Sequence, residues 1–232
     1  MSRTFILATL VLRLAAPGLL AQEPAQPTAP VVVTKGQATI IAVPDRAFVT
    51  IATESRSKNS ADAQRLNADA AAAVLQRLQQ AGIGRDALRT VGYDLQPEFD
   101  YANGHQTLRG YVARNTLEAR VDAVDRVGAV LDAAGSGGAT SIGGVRFDVK
   151  NRETIERDAL RQAVADARAR ADAAAAGAGR TIDRVVRIEE DRAPEVVRPV
   201  MRMAVAESVS STPIVPSTVE ITARVTLTAA LR

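Results

Sequence analysis

The feature that most constrains this chain is the way its hydrophobic period switches along the sequence. Stretches of period 2 come in pairs or singly, and stretches of period 3.6 separate them. Val31–Val43 and Arg46–Ser57 read as two strands joined at Pro44-Asp45, a dipeptide suited to a tight turn. Ser60–Ala81 reads as a helix capped by Asn59 or Ser60, with Asp62 in its first turn. Leu66, Ala70, Ala73, Val74 and Leu78 make its expected apolar face, and Gly82-Ile83 fits a left-handed termination. In Leu88–Asp100, Val91, Tyr93, Leu95 and Phe99 alternate with Thr90, Asp94, Gln96 and Glu98. Asn103-Gly104 then signals a hairpin. The return strand, Gln106–Val121, sets Tyr111, Ala113, Leu117 and Ala119 against Arg114, Glu118 and Arg120.

The second half repeats the alternation of periods. Asp122 can cap a short helix to Ala134, with Val124, Val127 and Leu131 inward and Gly135 as its stop. After a Gly-rich loop, Val145, Phe147 and Val149 mark a strand. Asn151 opens the longest helix, to about Ala176, whose face of Ile155, Ala159, Ala163, Val164 and Ala167 is narrow enough to lie close on a sheet. Ile182–Glu190 and the stretch built on Val219, Ile221, Ala223, Val225 and Leu227 are the last strands. The order ββ-α-ββ-α-β-α-ββ predicts an α+β fold of mixed, largely antiparallel sheets with helices packed on one face.

Composition narrows the functions available. Hydrophobic residues make up 47% of the 232 and aromatics only 3%, so the core is built from Val, Ile, Leu and Ala, in one sizeable unit or two small ones. The net charge of +3 includes Arg3 and Arg13; without the first 21 residues 27 bases face 26 acids. No basic block stands out, which argues against a nucleic-acid partner. The absence of Cys excludes disulfides, thiolate metal sites and Cys nucleophiles.

The N-terminus has the pattern of a secretory signal peptide over residues 1–21: a basic start, an apolar run from Phe5 to Leu12, and small residues before Ala21. That run falls short of the roughly 20 residues that span a bilayer, and no transmembrane span is expected in the mature chain. Residues 22–30, with Pro24, Pro27 and Pro30, read as an extended linker, and residues 31–232 as one α+β domain.

Candidate chemistry is sparse. His105, the one histidine, sits beside the expected hairpin turn and reads as a solvent-exposed tip residue. Glu189-Glu190-Asp191 lacks the ligand spacing of a calcium loop and reads as a solvated strand end balanced by Arg187 and Arg192. The glycines of 135–144 lack the Lys-Ser/Thr ending of a phosphate loop and read as turn residues. Asp158, Asp166 and Asp172 alternate with arginines, as in surface ion pairing. The long stretch Asp191–Pro216 carries Val196, Val197, Met201, Met203 and Val205, an unusual apolar load for a loop. It is read as an interface with a partner subunit or another protein, with a mobile loop or a ligand lid as alternatives.

An ordered set of short pieces across this domain resembles the SIMPL-domain (DUF541) family. They are Val33-Thr34-Lys35-Gly36, Pro44-Asp45-Arg46-Ala47, Gly82-Ile83, Thr90 with the run Leu95–Tyr101, Gly110-Tyr111, Val130-Leu131-Asp132, Val145-Arg146-Phe147 and Pro213-Ile214-Val215-Pro216. Ala38 and Ser217 depart from it, standing where the family often has glycine. The resemblance implies an exported bacterial protein without an established catalytic site, linked to envelope or oxidative-stress phenotypes, with some self-assembling members. The resulting expectation is a non-enzymatic, cofactor-free envelope protein, periplasmic or outer-membrane associated. It would work as a self-associating scaffold or through other envelope proteins. A periplasmic ligand-binding protein and a hydrolase using His105 are the rivals.

Overall fold

The computed structural model describes residues 30–102, 104–191 and 212–232. Seven strands form two antiparallel sheets, and each sheet has helices on one side. The strands are β1 (Val31–Ala42), β2 (Arg46–Ser57), β3 (Leu88–Ala102), β4 (His105–Val121), β5 (Ser141–Asp148), β6 (Ile182–Glu190) and β7 (Val219–Leu231). The helices are α1 (Ser60–Gln80), α2 (Val127–Ser136) and α3 (Arg152–Gly177). One sheet has the order β3-β4-β2-β5 and the other β1-β7-β6. The α+β order read from the periodicity is the order found.

The sheets divide the chain in a way that the Pro44-Asp45 turn does not suggest. β1 and β2 do not pair with each other: β1 lies against β7 and β2 between β4 and β5. At residues 43–45 the chain therefore steps from one sheet to the other, and it steps back between β5 and α3. The two crossings are tied together, because Asp45 N–H donates to Asp148 O (3.2 Å) and Lys150 N–H donates to Asp45 Oδ1 (2.7 Å). A third tie comes from the segment before β7. Thr212 Oγ1 donates to Asp132 Oδ1 of α2 (2.7 Å), and Ile214 packs on the core of the four-stranded sheet.

That core is aliphatic, as composition requires. Val49, Ile51, Leu117, Ala119 and Val121 from the sheet meet Val74 and Leu78 of α1 and Val127, Val130 and Leu131 of α2. Asn59 Oδ1 caps α1 by accepting from Ala61 N–H (2.8 Å), and Gly82 at φ +84° ends it so that Ile83 folds back into the core. The buried face of α1 is rotated from the expected one: it runs Ala63, Asn67, Ala71, Val74, Leu78, while Leu66 and Ala73 are exposed. A polar residue at its centre hides this face from a purely hydrophobic reading. Asn67 is fully buried and its Nδ2 donates to Thr53 O (2.9 Å) and Ala113 O (3.0 Å), one carbonyl on each of two neighbouring strands. Two other local expectations differ. Asp122 does not cap α2; it takes Arg46 and Arg120, and a 3-10 turn over Val124–Arg126 leads into the helix. Nor does Gly135 stop α2, which continues to Ser136.

The three-stranded sheet is covered by α3 through a stripe of Ala159, Ala163, Ala167, Ala171 and Ala175, all buried. The helix lies so close to β1 that a Cβ on Gly36 would sit 2.1 Å from Ala163 O. Beside that contact Thr34 Oγ1 donates to Ala167 O (2.8 Å), and Gln37 N–H donates to Asp166 Oδ2 (3.0 Å). Surface ion pairs run along α3, with Arg157–Glu153 at 2.8 Å and Arg170–Asp166 at 3.0 Å.

Candidate interaction surface

β3 is an edge strand, and with β4 it runs on past the rest of its sheet. The last β2 residue paired to β4 is Ser57, opposite Tyr111. Gly110 lets the β2–α1 connection cross there, since a Cβ at that position would lie 2.6 Å from Ser57 O. Beyond it, β3 and β4 pair alone, from Glu98↔Gly110 to Ala102↔His105, and Gly104 at φ +79° lies in the tip. This two-stranded arm projects about 20 Å at ~3.3 Å per residue.

Register fixes which side chains share a face of the arm. Tyr93 opposes Asn115, Leu95 opposes Ala113 and Pro97 opposes Tyr111, so all lie on the helix side of the sheet with Ala113 and Leu117. A bulge on β4 between its Glu98 and Phe99 partners keeps Phe99, Leu108 and Tyr101 on that same side. A second bulge, between Thr90 and Gly92, puts Leu88 and Thr90 there too, whereas simple alternation places Thr90 with Asp94. α1 lies over β2 and β4 and hardly reaches β3, so this side stays bare: Tyr93, Leu95, Phe99, Tyr101 and Leu108 are 38–78% exposed. Every tyrosine of the chain and one of its four phenylalanines fall between residues 93 and 111 on this face.

The opposite side of the same sheet is paved with ion pairs. Glu54 takes Arg114 and Arg56, Glu98 takes Arg56 (3.6 Å) and Arg109 (3.8 Å), and Glu118 takes Arg89 (2.6 Å). Asp122 joins Arg46 (2.6 Å) to Arg120 (3.2 Å), and Arg120 reaches Asp86 (2.8 Å). The hydrogen bond from Arg114 holds the Glu54 carboxyl below the usual carboxylate range. Burial pushes Asp122 up, but Arg46 and Arg120 outweigh it and leave this carboxyl low as well. Arg146 stacks on the Phe48 ring at 4.2 Å. The carboxylates of this face are satisfied within it.

The other candidates come to little chemistry. His105 is exposed at the first residue of β4. Glu189 pairs with Arg187 at 2.5 Å, and Asp158, Asp166 and Asp172 pair with Arg161, Arg170 and Arg168. Among the described residues no cluster of three or more His, Asp or Glu could hold a metal ion. A cavity of ≈ 250 Å³ lies where the end of α1 meets the end of β4, but its Asp86, Arg120 and Asp122 are bound to one another and Arg126 closes onto Ala81 O. It is smaller and more polar than the ~300–1,000 Å³ apolar pockets that hold small molecules. Val196, Val197, Met201, Met203 and Val205 lie outside the described residues. Also among the described residues, no helix is long and apolar enough to cross a membrane.

Comparison with known proteins gives a consistent relationship. A 26 kDa periplasmic immunogenic protein of Brucella abortus (strain S19) is 30% identical over 188 residues, covering 78% of this chain and 75% of that protein. An uncharacterized protein, YggE, of Escherichia coli (strain K12) is 27% identical over 191 residues, 82% of this chain and 78% of its own. The YggE of Edwardsiella ictaluri is 29% identical over 157 residues, 67% of this chain and 66% of its own. The SIMPL family model, described as a protein of unknown function (DUF541), matches residues 32–229. With nearly all of both sheets inside that match, the chain belongs to the SIMPL family.

Proposed function

We propose that this chain is an exported envelope protein that acts by associating with itself, as a scaffold, and has no enzymatic activity of its own. The observation that carries this reading is the placement of its aromatic side chains. The core is made from aliphatic residues, and the tyrosines and Phe99 stand on the uncovered side of an edge hairpin. Aromatic side chains supply large, rigid contact area, and exposed clusters of them mark interaction surfaces. Export is supported by the signal-peptide pattern of residues 1–21 and by the periplasmic name of the Brucella relative. A role in envelope or oxidative-stress protection follows from the family resemblance alone.

The test is the solution mass of the mature chain from Gln22, by light scattering after size exclusion over a wide concentration range. Assembly that grows with concentration supports the scaffold. A monomer at every concentration overturns it. The same measurement on a chain lacking residues 193–210 tests whether Val196, Val197, Met201, Met203 and Val205 contribute. That deletion spares Thr212 and Ile214, which hold the segment to α2 and its core.

A further inference from the structure

The β3–β4 arm is poorly explained as part of a lone molecule. Two-stranded ribbons are marginal in water unless something covers a hydrophobic face. From Phe99 to Leu108 this arm has no third strand and no helix over it, yet it is apolar on one side and charged on the other. At ~200 Å² per large side chain, the exposed parts of Tyr93, Leu95, Phe99, Tyr101 and Leu108 present roughly 500 Å². Two such faces together make roughly 1,000 Å², at the lower bound of a specific protein–protein interface.

The chemistry of that face selects its occupant. By register it carries Tyr93, Leu95, Pro97, Phe99, Tyr101 and Leu108, with the uncharged Gln106 opposite Tyr101 and no ionised group, so an anionic or cationic partner has nothing to pair with. On the other side of the arm Glu98 pairs with Arg56 and Arg109, and Asp100 with Arg109, so that side offers an anionic membrane no surplus of positive charge. An uncharged apolar face meets its own copy across a two-fold axis without like-charge repulsion, as an isologous contact requires. Pairing by the β3 edge is hindered by Pro97 and by the bulge at Val91, which leaves face-to-face packing.

We propose that the helix-side face of the β3–β4 arm, centred on Phe99 and Tyr101, is a self-association surface that packs on the same face of a second copy of this chain. This rests on the self-association reading above and assigns it a surface. Phe99→Glu and Tyr101→Glu each place an unpaired charge in that contact and are expected to raise the dissociation constant by about 30-fold or more. Thr107→Glu, on the charged side of the same arm, is the control and should leave the mass unchanged. Because the chain has no cysteine, a single nitroxide on Leu108→Cys reads the contact directly. It should show dipolar coupling between copies, which the same label on Ala176→Cys of α3 should lack. Assembly lost in both glutamate variants and kept in Thr107→Glu supports the proposal. Unchanged assembly in folded glutamate variants, or no coupling in a labelled Leu108→Cys protein that still assembles, overturns the surface and leaves self-association standing. A wild type that stays monomeric overturns both, including one that floats with neutral phospholipid vesicles.

Discussion

Replacing Gly36 with alanine tests the packing of α3 on its sheet with a single methyl group. The built Cβ lies 2.1 Å from Ala163 O, 2.4 Å from Ala167 N and 2.7 Å from Ala167 Cβ, and all but the last are backbone atoms that no rotamer change can move. Ordinary contact needs about 3.5 Å, so α3 must retreat from β1 by more than 1 Å at this point. A radial gap of that size forfeits a quarter to a half of each dispersion contact. Five buried alanine methyls, at ~0.8 kcal/mol each, then lose about 1–2 kcal/mol together. The Thr34–Ala167 hydrogen bond, net about 1 kcal/mol, breaks with them. Gly36→Ala is therefore expected to destabilise by about 2–3 kcal/mol, a large part of the roughly 5–15 kcal/mol that holds a domain folded. Urea unfolding followed by circular dichroism measures it. Gly135→Ala in α2 is the matched control: nothing lies within 4 Å of its Cβ, so a helical alanine there should be neutral or stabilising by up to ~1 kcal/mol. A loss under about 1 kcal/mol at Gly36, or the same loss at both glycines, would refute the close-packing argument.

Substitutions at three further sites probe other parts of the fold. Asn67→Leu removes the fork between Thr53 O and Ala113 O and should cost about 1–3 kcal/mol in chemical denaturation. Asn67→Asp should be worse at neutral pH and recover as the pH falls, because burial raises the folded-state carboxyl and its stability is lost as pH rises through that value; a melting temperature independent of pH counts against the buried contact. Glu54 runs the opposite way: Arg114 and Arg56 hold its folded carboxyl low, so it contributes stability above its unfolded value that is lost as pH falls through the folded one. Glu54→Gln should flatten the acid side of the stability profile, and an unaltered acid limb would mean the pair is worth nothing. Ile214→Ala, at a half-buried site on the core of the four-stranded sheet, should cost about 1–2 kcal/mol and speed limited proteolysis around residue 212; an unchanged cleavage rate would show that the segment is not held there.

Periodicity carried most of the fold because each element is long and patterned. Ile182–Glu190 and Arg46–Ser57 were legible to the residue, and α3 to within about one residue at either end. The parts that were not legible depend on interactions between distant segments. Pro44-Asp45 looks like a turn between paired strands, but pairing is decided by β7 and β4, far away in sequence. The N-terminal half of the α1 face lies one residue from the expected one, at Asn67 and Ala71 in place of Leu66 and Ala70, because Asn67 is buried through hydrogen bonds to two strands, which a hydrophobicity pattern cannot register. Thr90 was assigned to the wrong side because a bulge resets alternation, and nothing in Thr90-Val91-Gly92 except the glycine hints at one. The candidate surface was half legible: alternation grouped Tyr93, Leu95 and Phe99, but they are uncovered because α1 hardly reaches β3 and, at Phe99, because β4 outruns β2. A signal was present in the crowding of all three tyrosines into residues 93–111 of a chain that is 3% aromatic.

The two sides of the four-stranded sheet suggest how such a protein stays selective about what it binds. On the side away from the helices, Arg and carboxylate side chains neutralise each other at 2.5–3.8 Å, so that face offers little to a charged partner. Along the edge, Val91 is bulged out and Pro97 has no N–H to give, so an incoming strand meets a broken ladder. These features remove the two least specific ways for an exposed sheet to associate, which are electrostatic attraction and strand addition. What remains is the apolar side of the arm, where contact depends on shape and on aromatic packing. A surface restricted in this way favours a partner presenting a matching uncharged, aromatic-rich face, and a second copy of the chain presents one.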